Sequence, residues 1–120
     1  MEETTMSQFM MLLHTEPPIK GAYTPEEIQA VVQEYQQWSD KMGAAGKLAG
    51  GNKLASDSGK VLRGADNVSV VDGPFAETKE VIGGYFILEA EDYAEAAELS
   101  KSCPHLAFGG VIELRQIESM

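Results

Sequence analysis

Asp72, Glu77, Lys79 and Glu80 fall in one short stretch, "DGPFAETKE", between an apolar segment ending at Val71 and another opening at Val81. Carboxylates beside an amine are the material of acid–base chemistry. Partial burial raises a carboxyl pKa and fits the group for proton transfer, while a lysine offers its cation to an enolate or a carboxylate. Asp72 has two readings. An aspartate before Gly73 and Pro74 bonds nearby backbone N–H groups and forms a turn, or the strand end delivers its carboxylate to a pocket as a catalytic acid or base. Lys79 either pins the loop by pairing with Asp72 or Glu80, or points inward as a catalytic cation. Phe75 anchors the loop in the core or offers its ring to a ligand. Glu77 and Glu80 must reach water, pair, or bind a ligand.

Outside this stretch, His14 ends an apolar segment. There an imidazole acts as a base near neutral pH or is satisfied locally. Tyr85 and Arg115 occupy strand positions from which either could orient an anionic or phenolic ligand. His105 is read in the turn leaving the second helix, where its charge would favour the helix C-terminus. Neither histidine has the companions of a metal site, so no metal and no cofactor is expected. Cys103 lacks a histidine–acid pair in sequence to activate it, and cysteines near helix ends are commonly buried. Gly83 and Gly84 serve backbone geometry or close packing rather than a phosphate.

The elements that must position these groups are legible in the hydrophobic spacing. Phe9, Met11 and Leu13 lie on one side of an extended segment and Met10, Leu12 and His14 on the other, which predicts a central strand with two apolar faces. "TPEE" then opens a helix: Thr24 caps, Pro25 suits the first position, and Glu27 completes a capping box. Ile28, Val31, Val32, Tyr35, Trp38 and Met42 share one face of it, and the glycines of "KMGAAGKLAGG" end it. Between Gly50 and Asp72, "KLA", "KVLRG" and "VSVVD" alternate with turn residues and predict a hairpin-bearing excursion. "GYFILEA" is the clearest strand, with Tyr85, Ile87 and Glu89 on one face. Asp92 and Glu95 predict a second capping box over "YAEAAELSKSC", closed by Pro104 and the glycines at 109 and 110. "VIELRQI" is the last strand, with Glu113 and Arg115 on one face. The order predicts an α+β, ferredoxin-like βαββαβ domain with an inserted hairpin, both helices on one sheet face. The other face is too apolar for water, and a second copy, pairing sheet to sheet into a dimeric α/β barrel, would cover it.

The totals set the remaining bounds. At 120 residues the chain supports one core, hence one domain over 1–120 with its core at about 9–117. A net charge of −10 argues against nucleic acid and anionic membranes, whose binding draws on lysine and arginine. One cysteine excludes an internal disulfide and suits a reducing cytoplasm. The apolar run at Phe9–Leu13 is too short for a signal core and follows acids, and nothing approaches the roughly 20 apolar residues of a membrane span.

The segment "VVDGPFAETKEVIGGYFILEA" resembles the signature of the DGPF family, also called the YCII-related family. Asp72, Gly73, Pro74 and Phe75 give that family its name, "AETKE" follows in register, and Gly83 and Gly84 precede the strand. The opening apolar strand, "TPEE" and the late pair Cys103–Pro104 agree as well. The resemblance implies a ferredoxin-like protomer in a dimeric α/β barrel, similar in fold to small cofactor-free isomerases and monooxygenases. Two functions stay open: a cofactor-independent enzyme doing acid–base chemistry on a small carbonyl or phenolic compound, and a non-catalytic binding or regulatory module, linked in some relatives to extracytoplasmic-function sigma factors. After the first strand this chain departs from the family, with His14, Thr15 and Glu16 followed by Pro17 and Pro18 where relatives carry a tyrosine and an acidic turn.

Overall fold

The structure, a computed structural model, describes residues 6–15, 24–55, 59–73 and 81–119. Its strands are β1 (Ser7–Thr15), β2 (Leu48–Lys53), β3 (Lys60–Arg63), β4 (Ser69–Asp72), β5 (Val81–Ala90) and β6 (Val111–Gln116). Its helices are α1 (Pro25–Ala44), α2 (Tyr93–Ser100) and the single turn α3 (Pro104–Ala107). Four strands form an antiparallel sheet in the order β2-β5-β1-β6, and β3 pairs with β4 alone as a separate hairpin. The chain is thus α+β, and its strand order is compatible with the ferredoxin-like arrangement expected from the sequence.

The caps behave largely as their residues require. Thr24 Oγ1 accepts from the Glu27 N–H at 3.1 Å and Glu27 Oε1 from the Thr24 N–H at 3.2 Å, closing the box at the start of α1. At α2, Asp92 accepts from the Glu95 N–H at 2.9 Å, but the returning Glu95 carboxylate takes the N–H of Glu91, one residue before the cap. Two boundaries differ from expectation. The helix expected to run through Cys103 stops at Ser100. Pro104 opens α3 rather than closing α2, because a missing N–H costs nothing at a first helical position. Gly50 and Gly51, read as the end of α1, instead lie inside β2. Close approach is the reason at Gly51, since a Cβ there would meet Phe86 Cδ1 at 2.6 Å and the Tyr85 carbonyl at 2.7 Å.

One sheet face carries the core. Phe9, Met11, Leu13, Leu88 and Ala90 are buried against Trp38 and Met42 of α1, Ala96 of α2 and Cys103. Ring edges lock the layers: Phe9 meets Tyr93 at 4.9 Å and Trp38 meets Phe86 at 5.1 Å between centroids. The indole N–H of Trp38 donates to Ser102 Oγ at 2.9 Å, so the buried ring leaves no polar atom unpaired. The expected apolar stripe of α1 is buried only toward its C-terminal end. Ile28 and Val32 stand 52% and 49% exposed, because α3 and β2 meet the helix from Tyr35 onward. The radius of gyration is 16.8 Å, against about 13–14 Å for a compact chain of this length. The molecule is a slab, 18 Å in its thinnest dimension.

Candidate functional site

The second face of the sheet follows from the same alternation. Met10, Leu12 and His14 of β1 point away from the helices, and the register sets Leu12 opposite Tyr85 on one side and Glu113 on the other. Ile87 faces Met10, Arg115 stands across from Met10 on β6, and Asn52 pairs with Tyr85 from β2. Among the described elements, no helix packs on this face.

A β-bulge prepares its busiest corner. The pairing of β1 with β5 slips between Leu13 and His14, so that Leu13 faces Gly84 but His14 faces Ile82. Bulges bend a strand and re-aim its side chains. Here His14 Nε2 meets Glu113 Oε1 at 2.8 Å across the β1–β6 ladder. A carboxylate only accepts, so Nε2 carries the proton and this hydrogen bond fixes the imidazole tautomer. Arg115 reaches the other oxygen of Glu113 at 3.8 Å. Tyr85 Oη accepts from Asn52 Nδ2 at 3.0 Å nearby. His14, Glu113, Arg115, Tyr85 and Asn52 thus share one surface with apolar side chains between them. That combination can hold a small ligand with an ionisable oxygen, and it can move a proton.

Behind His14 lies a buried polar chain that the sequence reading did not identify. His105 is 7% exposed. Its Nε2–H donates to the His14 carbonyl at 2.7 Å, which leaves Nδ1 as the acceptor for the Tyr35 hydroxyl at 2.8 Å. His105 is therefore a structural tie from α3 to β1 and α1, not an exposed charge at the end of α2. Gly110 makes room for it, since a Cβ there would overlap the imidazole. Burial pushes the Tyr35 phenol up to about 12, with the Cys103 thiol and Glu34 adding to the rise. Burial also raises the Cys103 thiol, a backbone hydrogen bond at His105 offsetting part of it. The 2% exposed thiol is core, as its surroundings suggested. The signal for His105 was present in "CPHLAFGG", a lone polar ring in an apolar turn before two glycines.

Asp72, the one motif candidate among the described residues, lies apart from this face on the separate hairpin. Asp72 lies on β4 with its side chain 72% exposed and pairs with Lys60 across the hairpin. The pin expected from Lys79 on Asp72 or Glu80 lies outside the described residues. Phe75, Glu77, Lys79 and Glu80 lie outside the described residues. Of the other candidates, the sheet gathers His14, Tyr85 and Arg115. Glu113 and Asn52 join them, and only the strand register reveals that. At the opposite end, a shallow depression of about 380 Å³ is lined by Gln8, Glu89, Gln116 and Glu118, away from His14. Among the described residues no cluster of histidine, cysteine and carboxylate could hold a metal, and no helix is long and apolar enough to cross a membrane.

Comparison with known proteins agrees with the motif. An uncharacterised protein of Rhizobium meliloti (strain 1021) is 28% identical over 95 residues, which cover 78% of this chain and 77% of that protein. The YCII-related domain profile matches residues 7–120, taking in the first strand, the "DGPF" motif and the strand that bears Glu113, and the chain belongs to the YCII-related domain family.

Proposed function

We propose that the chain works as a homodimer paired through its open sheet faces, and that this pairing encloses a pocket in which His14 and Glu113 act on a small carbonyl or phenolic compound. The 2.8 Å contact between His14 Nε2 and Glu113 Oε1 carries the reading. A carboxylate on one ring nitrogen orients the imidazole and stabilises the imidazolium that forms when the ring takes a proton from a carbon beside a carbonyl, or from a phenol. Arg115 and Tyr85 then orient the anionic oxygen of the ligand. The "DGPF" motif precedes in sequence Val81, the first residue of β5, which pairs with Thr15 beside His14. In this reading Phe75, Glu77, Lys79 and Glu80 belong to the pocket rim, Lys79 supplies a further cation, and Asp72 secures the turn. No cofactor is needed for a proton transfer of this kind.

A second reading is favoured by the partial exposure of the pair, since the side chains of His14 and Glu113 are 22% and 43% exposed. A partly exposed carboxylate–imidazole pair suits a non-catalytic sensor, including a regulatory module of the kind linked to extracytoplasmic-function sigma factors. One experiment separates the two. A panel of small 1,3-dicarbonyls and phenols is titrated by NMR in heavy water, following both binding and deuterium exchange at the acidic carbon, for the wild type, His14→Gln and Glu113→Gln. The enzyme reading expects exchange catalysed by the wild type and lost in both variants while binding persists. Binding without catalysed exchange supports the sensor. Equal binding and equal exchange in all three chains would remove the pair from the function.

A further inference from the structure

The β3–β4 hairpin poses a physical problem that the described residues of its own chain do not solve. Its strands pair with each other, Val61 opposite Val71 and Leu62 opposite Val70, and make no substantial contact with any other helix or strand among the described elements. Two-stranded ribbons are marginal in water unless a third element or an apolar partner covers them. This ribbon is apolar on both faces. Leu62, Val68, Val70 and Val71 are between 50% and 61% exposed, and contiguous apolar patches of this kind on soluble proteins mark interaction sites.

The sheet offers a matching deficit. Beside His14, Ile82 on β5 and Val111 on β6 face it across the ladder and stand 42% and 50% exposed. Leu12 continues the same face toward the middle of the sheet. Charge favours a second copy as the hairpin's occupant. Lys60 and Arg63 balance Asp66 and Asp72, so the hairpin is neutral and approaches another copy of a chain of net charge −10 without adding net repulsion. In a two-fold dimer the exchange is reciprocal, each hairpin covering the other copy's deficit.

We infer that the β3–β4 hairpin is an arm that packs on a second copy of this chain, laying Leu62 and Val70 over Ile82, His14 and Val111, so that each candidate site is completed by its partner. The inference rests on the dimer proposed above and adds to it a swapped roof. The arm shields the His14–Glu113 pair from water and supplies an apolar wall for the ligand.

The test uses two full-length populations, mixed and left to exchange subunits. One is isotope-labelled and otherwise wild type. The other is unlabelled and carries a nitroxide on Asp66→Cys at the arm tip, with the buried Cys103 left in place. Sedimentation of the same mixture reports the oligomeric state. The arm inference expects the amides of Leu12, Ile82 and Val111 in the labelled chain to lose intensity in proportion to the share of labelled chains paired with a spin-labelled partner, recovered on reducing the nitroxide. Adding Leu62→Ser and Val70→Ser to the spin-labelled chain, both at exposed positions, should abolish that loss. A dimer without broadening in the labelled chain overturns the arm and leaves the dimer standing. A persistent effect after the double substitution also overturns the arm packing, and a monomer in sedimentation overturns arm and dimer together.

Discussion

At the scale of single residues, hydrogen-bond partners separate roles that residue type leaves open. Asp72 has the motif position that invites a catalytic role, yet its side chain is largely in solvent and pairs with Lys60. Exposed ion pairs contribute about 0–1 kcal/mol. Asp72→Asn should therefore shift the urea midpoint only slightly, by less than about 1 kcal/mol in stability. A larger loss would mean that the carboxylate holds more than the hairpin. Gly110 makes the opposite case. A methyl group there overlaps the His105 ring, and overpacking a filled site costs roughly 1–3 kcal/mol. Gly110→Ala should lower stability by that amount, and combining it with His105→Ala should cost less than the two changes summed, because removing the ring removes the clash. Additive losses in denaturant unfolding would show that the two positions do not meet.

At the scale of elements, the Tyr35–His105–His14 chain decides how α1, α3 and β1 are held together. Its sign with pH can be worked out from Tyr35. The folded pKa, about 12, lies above the ordinary phenol value of 10.0, so the unfolded chain loses the proton first. The associated stability is fully present below pH 10 and falls as pH rises from about 10 to about 12. Tyr35→Phe should flatten that part of the stability–pH curve while lowering stability at neutral pH through the lost bond to His105. An unchanged alkaline slope in the variant would assign it to other groups. The helix caps are simpler. Asp92→Ala removes the acceptor for the Glu95 N–H and should cost about 1 kcal/mol by thermal or urea unfolding.

At the scale of the whole molecule, the half-covered sheet governs the outcome. Phe9, Met11 and Leu88 are fully buried under the helices, and Phe9→Ala should cost roughly 3–5 kcal/mol, enough to unfold a marginal domain. Met10, Leu12 and Ile87 on the other face have no such cover among the described residues. In the proposed dimer, Leu12→Glu should separate the copies, with a lower sedimentation coefficient at micromolar concentration and a folded circular dichroism spectrum. A variant that sediments like the wild type would place the interface elsewhere. A compact wild-type monomer would remove the enclosed pocket.

Local chemistry was sufficient for much of this protein. Alternation at two residues placed Phe9 and Leu88 on strands, steps of three and four placed Trp38 and Met42 on a helix, and "TPEE" marked the start of α1, because these signals act between near neighbours in the chain. The "DGPF" stretch was enough to indicate the family. What the chain could not disclose locally is register. Glu113 joins His14 only because β6 pairs with β1 in one particular alignment, and Gly51 belongs to a strand only because Phe86 lies against it. His105 looked like a turn residue until the fold set it between Tyr35 and the carbonyl of His14. Partners close in space but distant in sequence are chosen by packing and closure of the whole sheet, so the candidate site emerges only once the tertiary structure brings them within hydrogen-bond reach.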